Sequence, residues 1–246
     1  MPQTITRAGH RLAYHAMAGR GPGVVFLGGF QSDMTGTKAV ALEDWARASG
    51  RAFLRLDYSG HGQSGGTFEG GSIGDWYADA LAVIEAATEG PQVLVGSSMG
   101  GWIALLIARD RPERVAGLVT IAAAPDFTED GYWADFSEVE RLTLMTRGRV
   151  TVPSDYGESY VITRHLIEEA RDRLVLRTPL ELGMPVRMLQ GTADEAVPTE
   201  TATRLIAHAS GKDIRLTLVK GADHRFSGPE ELALIREAVM DVLARV

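Results

Sequence analysis

The alternation of short apolar runs with longer amphipathic stretches constrains this 246-residue chain more than any other feature. The runs are Val24–Leu27, Ala52–Leu56, Gln92–Val95, Gly117–Ala122, Val186–Leu189 and Ile214–Val219. The stretches between them, Lys38–Ala48, Ile73–Ala87, Gly100–Ala108, Glu200–Ala209 and Glu230–Val246, carry apolar residues at helical spacing. Apolar strands separated by helices predict a mostly parallel sheet covered on both faces, an α/β fold. Thr4–Thr6 and Arg11–His15 predict an antiparallel edge hairpin turning at Ala8–Gly9.

The alternation stops from residue 125 to residue 183, where the chain becomes aromatic, charged and helical. An insertion of that length between strands predicts a small helical cap over a site. The expected organisation is therefore a core of residues 1–124 and 184–246 with a cap of 125–183. The length supports one large core without a second domain.

Composition narrows the partners. A net charge of −7 disfavours nucleic acid and anionic membrane, which reward clustered Lys and Arg. The absence of cysteine excludes thiolate nucleophiles and disulfides and fits a reducing compartment. No apolar run is long enough for a signal peptide or a bilayer span, so the expectation is a cytoplasmic protein without stable membrane insertion. The sequence leaves the oligomeric state open.

Chemistry enters at Gly96-Ser97-Ser98-Met99-Gly100, a G-x-S-x-G motif with a strand before it and a helix after it. Such an elbow needs small residues where strand and helix approach, which Gly96 and Gly100 supply. Ser98 then projects above the carboxyl edge of the sheet, whereas Ser97 falls at an x position. Ser98 is the nucleophile candidate.

A serine hydroxyl needs an imidazole to take its proton, and the imidazole needs a carboxylate to fix its tautomer. In the order Ser, acid, His, the acid candidate is Asp194, just past the strand in VRMLQGTADEAVP, with Glu195 as its rival. The base candidate is His224 in LTLVKGADHRF, with Asp223 a competing acid by proximity only. The remaining histidines, His10, His15, His61, His165 and His208, lie in the hairpin, a glycine-rich loop and helices. None has metal-ligand spacing, and the chemistry calls for no metal and no cofactor.

Acyl transfer builds negative charge on an oxygen that fixed amides must stabilise. Met99 N–H is one candidate donor, and Phe30 N–H, after Gly28-Gly29, is the other. Gly29, Trp102, Tyr132 and Trp133 are the candidate substrate contacts, with Phe136 nearby in the cap. Arg147, Arg149 and Arg164 read better as solvated charge. Asp57–Gly66 (DYSGHGQSGG) lacks a phosphate-binding pattern and reads as a turn shaping the back wall.

Taken together these residues resemble the α/β-hydrolase superfamily over essentially the whole chain. FLGGFQSDMTGTKAVALE, FLRLDYSGHGQSGG, EGPQVLVGSSMGGW, RPERV and QGTADEAVP, followed by DHR, are similar to the family of α/β-hydrolase domain-containing protein 10. So is the cap segment GRVTVPSDYGESYVITRHLIEEA. The resemblance implies an acyl-glucuronide esterase or S-depalmitoylating thioesterase, with Ser98, Asp194 and His224 as triad and Phe30 and Met99 as oxyanion donors. Many relatives place His-Gly where this chain has Gly28-Gly29. Animal members carry a mitochondrial extension, whereas this chain begins almost at its first strand, so the expected location stays cytoplasmic.

The expected activity is a serine hydrolase cleaving small or fatty acyl esters or thioesters, with a small molecule or an acylated protein as partner. A C–C bond hydrolase or a cofactor-free haloperoxidase would use the same triad. A non-catalytic binding module is the rival from outside enzymology. Epoxide hydrolases and dehalogenases place Asp at the elbow, where this chain has Ser98.

Overall fold

Side chains on successive strand residues point to opposite faces, so a run apolar at every position must be covered on both sides. The computed structural model, which describes residues 2–153 and 159–246, builds such a sheet. Its strands are β1 (Gln3–Arg7), β2 (His10–Met17), β3 (Arg20–Leu27), β4 (Arg51–Leu56), β5 (Gln92–Ser97), β6 (Val115–Ile121), β9 (Val186–Gly191) and β10 (Ile214–Val219). They lie in the order β1-β2-β4-β3-β5-β6-β9-β10, parallel from β4 onward, with β1 and β2 forming the antiparallel edge expected from the sequence.

The helices of the core are α1 (Thr37–Ala48), α2 (Ile73–Ala87), α3 (Met99–Asp110), α6 (Thr199–His208) and α7 (Pro229–Leu243). Val24, Phe26, Val93 and Val95 pack with α1 and α7 on one face. Their strand neighbours Val25, Leu27 and Leu94 pack with α2 and α3 on the other. All seven are buried, each worth about 1.5–3 kcal/mol of transfer free energy.

Chain order reverses at β3, which lies between β4 and β5; the helices that follow β3 and β5, α1 and α3, cover opposite faces of the sheet. The crevice at such a switch point is where open α/β sheets hold ligands. The loops leaving β3 and β5 open there.

Between β6 and β9 the chain leaves the sheet. It forms a π-helical turn at Thr128–Trp133, helix α4 (Glu138–Arg147), an antiparallel pair β7 (Arg149–Val152) and β8 (Tyr160–Thr163), and helix α5 (Arg164–Ala170). The helices expected of the insertion are present, and the hairpin is an addition to them that the sequence did not indicate. Its strands are four residues each, too short for period-2 alternation to stand out. The SDYGE stretch of the quoted cap segment, residues 154–158, lies outside the described residues. No helix among the described residues is long and apolar enough to cross a membrane.

Candidate active site

The elbow is built by close approach. A Cβ on Gly96 would lie 2.3 Å from the Gly100 carbonyl oxygen, and one on Gly100 would lie 2.1 Å from the Leu27 oxygen. Both distances are far inside contact, so only glycine lets β5 enter α3 this way. Ser98 sits at φ 54°, ψ −120°, a left-handed conformation costing about 1–3 kcal/mol. Its own backbone fastens it: Ser98 N–H donates to Ile121 O at 2.9 Å. Its carbonyl accepts from Gly101 N–H at 2.9 Å and Ala124 N–H at 3.1 Å.

Ser98 Oγ lies 3.1 Å from His224 Nε2, and His224 Nδ1 lies 2.8 Å from Asp194 Oδ2. A carboxylate only accepts, so Nδ1 carries the hydrogen and Nε2 is left to accept from the serine hydroxyl. The three residues follow β5, β9 and β10, so strand ends along one edge of the sheet bring together side chains far apart in sequence.

Asp194 is fixed from every side. Its Oδ1 accepts from Ala196 N–H at 3.0 Å and Val197 N–H at 2.7 Å. Its Oδ2 also accepts from Gln190 Nε2 at 2.9 Å. Gln190, buried in β9, donates as well to Val197 O at 2.8 Å and so stiffens the acid's own loop. This residue escaped the sequence reading, although a polar side chain directly after the apolar pair Met188-Leu189, at the end of the strand, was the available signal. Glu195 is exposed, and Asp223 accepts from Phe226 N–H at 3.1 Å as a local turn. Lys38 of α1 donates to the Arg225 carbonyl beside His224, and burial pushes its ammonium down to about 8, with Asp223 opposing that shift.

Gly29 packs against Ser98: a Cβ there would lie 3.3 Å from Ser98 Cβ. That contact brings the backbone at Phe30 to the serine. Met99 is the first residue of α3, where helical N–H groups have no acceptor within the helix. Both amides thus belong to segments that border Ser98.

A cavity of about 600 Å³ opens over Ser98 and His224. Phe30, Phe127, Tyr132 and Tyr160 give it an aromatic side, while Gln31, Ser32, Lys38 and Arg225 give it a polar one. The Phe30 ring stands edge-on to Phe127 at 5.5 Å and Tyr160 at 5.6 Å. Of the expected contacts, Gly29 and Tyr132 line this cavity; Trp102 and Trp133 do not. Trp102, one turn into α3, is fully buried, donates its indole N–H to Arg173 O at 3.1 Å and packs on Phe127. The guanidinium groups of Arg141 and Arg171 lie over the Trp133 ring, 5.4 and 4.8 Å from its centroid. Helical direction turns both indoles away from the cavity, which spacing alone did not reveal.

Comparisons with known proteins place the whole chain among hydrolases. Residues 23–174 match the family described as Hydrolase_4, serine aminopeptidase S33. The palmitoyl-protein thioesterase ABHD10 of Bos taurus, named as mitochondrial, is 35% identical over 240 residues, covering 96% of this chain and 77% of the bovine protein. The solved structure of α/β-hydrolase domain-containing protein 10 from mouse superposes with a TM-score of 0.92 at 34% identity, covering 99% of this chain and 98% of the mouse chain. A crystal structure from Agrobacterium vitis S4 gives the same TM-score at 40% identity, covering 98% and 97%.

Proposed function

The chain belongs to the serine aminopeptidase S33 family of α/β-hydrolases, is related to ABHD10, and is a serine hydrolase of esters or thioesters; from that premise we propose the residues and substrate that carry its reaction. Ser98 is the nucleophile, His224 the general base and Asp194 its orienter. The carrying observation is the unbroken hydrogen-bonded line from Ser98 Oγ through the imidazole to Asp194, at 3.1 and 2.8 Å.

Ser98 Oγ attacks the acyl carbon while His224 Nε2 takes its proton, and the carbonyl electrons move onto oxygen. The Phe30 and Met99 amides stabilise that oxyanion; losing one such donor costs roughly 10²–10³ in rate. The tetrahedral centre collapses, the bond to the thiolate or alkoxide breaks, and His224 returns the proton to it. Water then enters by the same base and frees the acid from Ser98.

The insertion acts as a cap whose aromatic side holds the acyl group. A fatty acyl thioester, by analogy with the named activity of the bovine relative, fits that apolar side better than a compact polar acyl group. The bovine protein's mitochondrial location stays with that protein; the cysteine-free composition fits a reducing compartment, as the proposed cytoplasmic location requires.

Ser98→Ala is expected to abolish hydrolysis of p-nitrophenyl butyrate with the fold intact by circular dichroism; undiminished turnover would refute the assignment. Comparing a palmitoyl-thioester peptide, an acyl-glucuronide and esters of rising acyl length then ranks the substrates. The thioester peptide is expected to give the highest kcat/KM, and a preference for acetyl esters would overturn the acyl-group proposal.

A further inference from the structure

The glycine-rich loop after β4 has no part in the reaction derived above, yet its first residues grip the loop that carries the Phe30 amide. Tyr58, 1% exposed, donates its hydroxyl to the Gly28 carbonyl at 3.2 Å. Asp57, also buried, accepts from Met34 N–H at 2.6 Å and from Gln63 N–H at 2.8 Å. Arg55 donates to the Met34 carbonyl and is held in turn by Glu43 of α1 at 2.7 Å. Both ends of the segment from Gly28 to Met34 are therefore fixed from the end of a single strand.

What lies between those anchors needs fixing. Gln31 holds φ 54°, a left-handed conformation that a side chain disfavours and that persists only where its surroundings enforce it. Gly29 leaves almost no gap to Ser98. The clamp itself has little slack: a Cβ on Gly62 would lie 2.3 Å from Asp57 Oδ2. A hydrogen-bond donor serves an oxyanion only within a few tenths of an ångström of the right place, so whatever sets the ends of this loop sets the donor.

We propose that Asp57 and Tyr58 are positioning residues that hold the oxyanion loop and fix where the Phe30 amide stands relative to Ser98. The inference rests on the reading of Phe30 as an oxyanion donor. Neither side chain touches substrate; both act through the backbone they grip.

Asp57→Asn keeps the side-chain volume but aims a donor at a backbone N–H, so one of the two bonds is lost. On p-nitrophenyl butyrate the variant is expected to lose roughly 10- to 100-fold in kcat with KM within about threefold of wild type. Affinity for a trifluoromethyl ketone, whose oxygen takes the oxyanion's place after Ser98 adds, falls by a matching factor. Tyr58→Phe removes only the bond to Gly28 and is expected to lose roughly two- to tenfold in the same two readouts. Asp79→Asn, at a neighbouring buried carboxylate that holds Ser59 and Arg7, serves as the control. It should lower Tm without a parallel fall in ketone affinity.

Wild type and Ser98→Ala are measured alongside. Turnover that does not depend on Ser98 sinks the functional reading itself. Ser98-dependent turnover with kcat and ketone affinity unchanged within twofold in Tyr58→Phe, and in Asp57→Asn where it folds, overturns this inference alone. Should Asp57→Asn not fold, Tyr58→Phe decides.

Discussion

At the scale of single residues, Asp194 is held on both of its oxygens. Four donors converge on its two oxygens: His224 Nδ1, Gln190 Nε2 and the amides of Ala196 and Val197. A carboxylate accepts all four; a carboxamide turns one oxygen into a donor facing other donors. Asp194→Asn is therefore expected to lower kcat by roughly 10³- to 10⁴-fold with little change in KM, read from steady-state ester hydrolysis. A loss below tenfold would show that the imidazole does not depend on Asp194. Glu195→Gln, on an exposed side chain, should stay within about twofold. The placing of Ser98, Asp194 and His224 was legible in the sequence because each sits in the turn that follows a strand, and strand ends are visible as the stop of an apolar run. Gln190, Asp57 and Tyr58 were not, because their roles lie in which backbone groups they meet across the fold. Local pattern does not encode those meetings.

At the scale of elements, the insertion between β6 and β9 is fastened at its root. Asp126, fully buried at φ 59°, accepts from Val175 N–H at 2.8 Å, Leu176 N–H at 3.1 Å and Arg177 Nη1 at 2.7 Å. The outgoing and returning chains are thereby stitched together one residue from Phe127, which faces the cavity. Replacing Asp126 by Asn leaves one amide without its acceptor, a cost of about 1–3 kcal/mol that falls on this stitch. The expected outcome is a fall of roughly tenfold in kcat/KM for long acyl esters, against less than threefold for an acetyl ester. An equal fall across the acyl series would mean that the stitch supports the whole fold instead. The insertion's helices were legible from their spacing, and its position from the break in alternation. The β7–β8 pair was not, since four-residue strands become strands by pairing with one another rather than by propensity.

At the scale of the whole molecule, the sheet was legible almost strand for strand, because apolar runs buried on both faces leave little choice of partner layer. Its dependence on pH was not. His61, in the glycine-rich loop after β4, is buried edge-on among Tyr58, Phe68 and Trp76. Its Nδ1 donates to Ser59 O at 3.1 Å, while Nε2 has no hydrogen-bond partner among the described residues. Burial pushes this imidazole below its ordinary 6.5, with the Ser59 carbonyl and Asp79 pulling the other way. The unfolded chain thus takes up a proton near 6.5 that the folded chain resists, so the stabilisation is present above that pH and lost as pH falls through it. The urea midpoint should drop from pH 7.5 to pH 5.5, and His61→Phe should flatten the drop, leaving the part due to His15, whose pKa burial lowers likewise. An unchanged slope in the variant would contradict this origin. The central claim is covalent chemistry at Ser98, and its most direct measurement is labelling with a fluorophosphonate followed by intact-mass analysis and peptide mapping. One adduct per chain is predicted, carried by Ser98, absent in Ser98→Ala and formed far more slowly in His224→Ala. An adduct on Ser97, or one formed at an undiminished rate without His224, would contradict the account.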